Sequence, residues 1–141
     1  MKEIKWQNEY SVLLKDIDEP RRFLAEKLSS FLTRISQNPS AEHIEELNAL
    51  IDGFRIHFAK EEKILSKYKY PEVDIHRKEH KSYLRSLIRL RRKISEDPAD
   101  ADDETLNYLG DFFADHMSFN DQHYAPFIRL KKKIETHSLR K

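Results

Sequence analysis

The chain has 141 residues, with 26 Lys plus Arg against 25 Asp plus Glu and a net charge of +1. That length suits one domain able to bury a core unaided, and the absence of cysteine excludes disulfides, thiolate zinc or iron–sulfur sites and cysteine nucleophiles. Near-neutral charge, no apolar run of 18 residues and no leader-like start give no case for nucleic acid, membrane or export, so a soluble cytoplasmic protein is expected.

Two glycines and 36% charged residues favour helices over a sheet with many tight turns. Residues 1–17 carry Trp6, Tyr10, Val12, Leu13, Leu14 and Ile17 without clear periodicity and read as an ordered arm. Pro20 fits the first turn of a helix whose buried face is Leu24, Leu28, Phe31 and Ile35. Asn38-Pro39 stops it, and Ser40 caps a second helix over about 41–67, striped by Ile44, Leu47, Ile51, Phe54 and Phe58. Tyr70-Pro71 breaks the chain before a third helix with the seam His76, His80, Tyr83, Leu87, Leu90 and Ile94 and a basic outer face. Asp102 or Asp103 caps a fourth, where Leu106, Leu109, Phe113 and His116 share a face. Pro126 interrupts it, and Phe127, Ile128, Leu130 and Ile134 suggest a short fifth helix. The pattern predicts an all-α fold: an antiparallel up-down-up-down four-helix bundle with an N-terminal arm and a short C-terminal helix. One domain spans 1–141, with the arm at 1–17, the bundle at about 18–125 and the C-terminal helix and tail at 126–141.

Several residues on these seams do not belong in an apolar core. His57 and Glu61 are four apart and share a helix face, His76 and His80 repeat that spacing, and His116 with Asp121 supplies a third element. Burying four imidazoles and two carboxylates without a partner costs several kcal/mol, and a metal offsets that cost. Imidazole suits iron, copper and zinc, while carboxylates bridge hard cations. Any one such pair has a bland reading as a surface accident or a hydrogen-bonded core histidine; three pairs on three elements are much harder to get by chance. A zinc-protease motif is absent because Arg77 follows His76, and no histidine has a glutamate three residues before it, as ferritin-like carboxylate bundles require.

These motifs resemble those of the bacterial hemerythrins, non-heme di-iron oxygen-binding bundles. His57-Phe58-Ala59-Lys60-Glu61-Glu62 is similar to H-F-x-x-E-E, Tyr70-Pro71 with His76-x-x-x-His80 to Y-P…H-x-x-x-H, and His116-x-x-x-x-Asp121-x-x-Tyr124 to H-x-x-x-x-D-x-x-Y. The stretch from Trp6 to Ile17-Asp18 resembles the family's arm and first-helix entry. The resemblance implies that His76, His80 and His116 hold one iron and His57 the other, with Glu61 and Asp121 bridging. The family's first-helix histidine ligand, in I-D-x-Q-H, falls at Arg21 in Ile17-Asp18-Glu19-Pro20-Arg21.

Arginine stays protonated and does not ligate. Two irons are therefore implied by the family, and one by the altered position, unless another side chain substitutes; His123 is the candidate, with a surface role as its simpler reading. Arg21 itself is expected to turn to solvent, the alternative being an inward bond to a carboxylate ligand or bound anion. Phe58, Tyr83, Phe112, Phe113 and Met117 are expected to wall the site, and Tyr83 is placed to donate a hydrogen bond to a ligand of the metal. His43 and His137 read as surface residues. The resemblance implies a dioxygen carrier, store or sensor rather than an enzyme. An altered centre that reacts with peroxide or nitric oxide, or stores iron, is the second reading, and a degenerate site in a structural or partner-binding bundle the third. No protein partner is indicated.

Overall fold

A computed structural model describes residues 4–116 and 121–139. Five α-helices follow in order: α1 Lys15–Gln37, α2 Ile44–Lys67, α3 Val73–Glu96, α4 Asp103–Asp115 and α5 Asp121–Leu139. Each of α1 to α4 packs on its neighbour in sequence, and α4 closes against α1. Short connections between long helices make this an antiparallel four-helix bundle followed by a C-terminal helix. None of the helices among the described residues is long and apolar enough to cross a membrane.

The predicted stripes are the buried faces: Leu24, Leu28, Phe31 and Ile35 on α1, Leu47, Ile51, Phe54 and Phe58 on α2, and the whole seam from His76 to Ile94 on α3. Ser40 caps the second-helix region by accepting from the Glu42 amide, and Asp102 rather than Asp103 caps α4 through the Thr105 amide at 2.8 Å. Two boundaries differ from the sequence reading. The first helix begins at Lys15, so Pro20 lies inside it. Pro126 likewise lies inside the helix described over Asp121–Leu139. A proline beyond the first turn leaves the carbonyl four residues back without its usual amide, a cost that packing of the helix offsets.

The arm is tied down by Asp18, which accepts from Ser11 Oγ at 2.5 Å and from the Val12 amide at 2.9 Å. Of the two glycines, Gly53 allows close helix approach, because a Cβ there would meet Leu24 Cδ2 at 2.9 Å; at Gly110 the nearest atom is an ordinary 3.5 Å away.

The α2–α3 turn carries avoidable strain. Lys69 has φ 58°, its amide donates to the Ser66 carbonyl at 3.1 Å, and the Tyr70 amide reaches the Leu65 carbonyl at 2.9 Å. This is a Schellman cap with lysine in the left-handed position glycine prefers. Lys69→Gly is expected to raise stability by about 0.5–1 kcal/mol in urea denaturation; a loss would contradict that assignment.

Two apolar clusters fill the bundle, one including Leu24, Phe54, Tyr83 and Phe113, the other Ile17, Leu65, Tyr70 and Tyr124. On α1 Arg21 falls between Ile17 of one cluster and Leu24 of the other, and on α2 Glu61 falls between Phe58 and Leu65. The fold thus places one polar layer inside a continuous apolar column.

Candidate metal centre

Arg21, His57, Glu61, His76, His80, His116 and Asp121 are all buried in that layer. Glu61, His76, His116 and Asp121 each offer an atom within 4.8 Å of all the others. Asp121 Oδ1 stands 3.2 Å from His76 Nε2 and 3.0 Å from His116 Nε2. Glu61 Oε1 stands 3.2 Å from His80 Nε2 and 3.9 Å from His116 Nε2. His80 Nε2 and His116 Nε2 face each other at 3.2 Å.

The outer nitrogens suit this cluster to a cation. His80 Nδ1 lies 3.0 Å from Glu62 Oε2, and His116 Nδ1 lies 3.0 Å from Glu79 Oε2. A carboxylate only accepts, so each Nδ1 carries the hydrogen, and each neutral ring turns its Nε2 lone pair inward. Two lone pairs then face each other beside two carboxylate oxygens, all acceptors. In the metal-free chain a proton fills the role: burial would push His116 down, but the Asp121 charge and the facing Asp121, Glu61 and Glu79 carboxylates hold it well above the usual imidazole range. Burial also opposes ionisation of Glu61, yet the facing His116 and His80 hold it well below the usual carboxylate range. The anions and the inward lone pairs are what a divalent metal needs.

Among the described residues, the buried side-chain polar atoms lacking a hydrogen-bond partner are Arg21 Nε, both His57 ring nitrogens, both Glu61 oxygens and Tyr124 Oη. All belong to this layer. Among these, Glu61 Oε1 lies on the side of the facing His80 and His116 rings, where a cation would engage it.

The hemerythrin HHE cation binding domain model matches residues 13–128. The chain belongs to this family. A bacteriohemerythrin of Stenotrophomonas maltophilia (strain R551-3) is 25% identical over 126 residues, 88% of this chain and 80% of that protein. A bacteriohemerythrin of Methylococcus capsulatus (strain ATCC 33009 / NCIMB 11132 / Bath) is 28% identical over 84 residues, 60% of this chain and 64% of that protein. A myohemerythrin of Theromyzon tessulatum is 23% identical over 121 residues, 85% and 89% of the two chains.

Within this hemerythrin-family bundle two expectations need correction, and His123 takes the simpler of its two readings. Arg21 does not turn to solvent: it is fully buried, and its guanidinium donates from Nη1 to Asp121 Oδ2 and from Nη2 to the Tyr10 carbonyl. Two buried acceptors outweigh the usual preference of arginine for water. The Tyr83 hydroxyl does not face the ligands, because it donates to the Leu109 carbonyl at 3.0 Å. His123 is exposed and outside the cluster, since Asp121 and Tyr124 occupy the inward positions of α5.

The aromatic wall is real but unequal. Phe58 stacks on His80 with centroids 3.9 Å apart and planes 2° apart, fixing the ring. Phe113 is buried against Phe54, whereas Phe112 is half-buried and stacks on Tyr83. Met117 lies outside the described residues. His57 stands apart from the three facing imidazoles, with Nε2 3.7 Å from Glu61 Oε2; burial drives its pKa down to about 4, so it is neutral.

Sequence reasoning missed Glu62, Glu79 and Tyr124 as site residues. Glu62 was visible in the quoted H-F-x-x-E-E run, and Tyr124 in H-x-x-x-x-D-x-x-Y; Glu79 had no signal beyond preceding His80. Glu79→Ala is expected to weaken ferrous iron binding about 10- to 100-fold, the usual effect of losing an orienting carboxylate. Chelator competition measures it against the exposed control Glu45→Ala; equal affinities would remove Glu79 from the account.

Proposed function

We propose that this chain is a non-heme iron protein that binds dioxygen for carriage, storage or sensing, with His76, His80, His116, Glu61 and Asp121 as ligands. The observation that carries this reading is the inward pair of Nε2 atoms, 3.2 Å apart, each ring held from behind by a carboxylate. Iron, when bound, supplies a redox-active centre that accepts a small molecule at an open position.

The chain's own residues set the conditions. Glu62 and Glu79 keep the His80 and His116 Nδ1 protons in place, so these rings present Nε2 to the metal. Phe58 and the Phe54–Phe113 pair keep bulk water from one side, and Tyr70 with Tyr124 closes the other. Burial foremost, with the Glu61 and Asp121 charges, holds the Tyr124 hydroxyl well above the usual phenol range, so it keeps its proton. That O–H, facing the Glu61 carboxylate across the layer, is a donor available to a bound ligand.

A second reading, favoured by the inward Arg21, is a centre that reacts with peroxide or nitric oxide, or stores iron. The test is an anaerobic ferrous sample exposed to dioxygen and then purged. A visible absorption change that reverses on purging supports reversible binding. Irreversible oxidation with peroxide consumption supports the second reading. A chain that takes up no iron contradicts both.

A further inference from the structure

The two buried carboxylates divide their oxygens between two sides of the layer. On one side, Asp121 Oδ1 and Glu61 Oε1 face the Nε2 atoms of His76, His80 and His116. On the other, Asp121 Oδ2 accepts from Arg21 Nη1, and Glu61 Oε2 lies 4.0 Å from that same nitrogen. His57 Nε2 sits on this second side, 3.7 Å from Glu61 Oε2.

Carboxylates shared in this way imply two positive positions. The first has only acceptors around it. The second already holds a cation, and a permanent one, because a guanidinium does not lose its proton in a protein. A divalent ion there would meet a fixed positive charge in a desolvated setting, with Asp121 Oδ2 already engaged by the guanidinium.

We infer that the Arg21 guanidinium is the second cation of this centre, and that the protein binds one metal ion, not two. The inference rests on the iron-binding reading above and fixes its stoichiometry. The charges agree: one guanidinium against two buried carboxylates leaves one negative charge facing the first position, where a single divalent ion would sit. It also accounts for His57. With Arg21 beside Glu61, this buried imidazole has no metal to bind and remains without a hydrogen-bond partner.

The experiment is ferrous iron per chain after anaerobic loading and desalting, on wild type, Arg21→Lys and Arg21→His. One iron is expected in wild type and in Arg21→Lys, which keeps a positive charge. Two are expected in Arg21→His, which removes that charge and adds an imidazole next to His57. Wild-type protein with two irons overturns the inference but leaves the iron-binding reading standing; wild-type protein with none overturns both. Arg21→His that folds, by circular dichroism, yet stays at one iron overturns the claim that Arg21 sets the count. Independently of any variant, oxidised wild type is expected to give the EPR signal of isolated high-spin ferric ion. An EPR-silent sample carrying two coupled ferric ions would overturn the inference.

Discussion

Arg21→Leu destabilises the metal-free protein by about 3–5 kcal/mol at pH 7, the range expected when one partner of a buried charge pair is removed. The guanidinium is fully buried and bonded to Asp121 and to the Tyr10 carbonyl. Leucine fills much of the volume but leaves the Asp121 carboxylate facing Glu61 with no compensating cation. The variant also releases the arm at Tyr10.

The loss depends on pH, and its sign follows from Asp121. In wild type, burial and the Glu61 charge push the Asp121 carboxyl up, but His116 and Arg21 win and hold it below its ordinary 3.8. That stability is present above the ordinary value and lost as pH falls through the lowered one. Removing Arg21 takes away one of the charges that hold the carboxyl down and leaves His116, so the folded-state pKa of the variant lies above that of wild type. The gap between the two proteins is therefore full at neutral pH and narrows as pH falls through these two values. Urea denaturation at pH 7 and at about pH 3 measures it. A loss below about 1 kcal/mol, the size of an exposed pair, would contradict the buried placement.

His116→Ala is expected to cut ferrous iron affinity by more than about 100-fold, beyond the effect of losing an outer carboxylate. His116 is the hub of the first cation position, within 3.2 Å of both His80 Nε2 and Asp121 Oδ1 and 3.9 Å from Glu61. No neighbour replaces it: His57 lies on the Arg21 side, and His123 is exposed. Wild-type protein with free iron at 100 times its dissociation constant gains about 2.7 kcal/mol by mass action, and the variant gains little. Anaerobic chelator competition and thermal unfolding with and without iron read both effects, with His123→Ala as the control expected to match wild type. An affinity for His116→Ala within threefold of wild type would remove this residue from the centre.

The helical seams were legible because a 3.6-residue period reports which face is buried, and α3 follows its predicted seam from His76 to Ile94 without exception. Histidines on such a seam are also legible, since burial of an unpaired imidazole needs a reason. Arg21 was not, because what turns it inward is Asp121, 100 residues away in sequence, and the Tyr10 carbonyl of the arm. Composition and local propensity carry no record of such partners. The same holds for Tyr83, whose hydroxyl is taken by the backbone of the neighbouring helix. Pro20 and Pro126 misled for another reason: proline reads as a helix boundary, but in both helices tertiary packing overrides the loss of one hydrogen bond. Glu62 and Glu79 look like solvent-facing charges on amphipathic helices, and only the packed bundle turns them towards the His80 and His116 rings.

The central claim is that the buried imidazoles of α3 and the end of α4 surround a metal position shared with Glu61 and Asp121. Anomalous diffraction at the iron absorption edge, on crystals of anaerobically loaded protein, tests it most directly. The account predicts one strong peak among the Nε2 atoms of His76, His80 and His116, with the Arg21 guanidinium still bonded to Asp121. A peak elsewhere, or no peak with the three rings collapsed on one another, would contradict it.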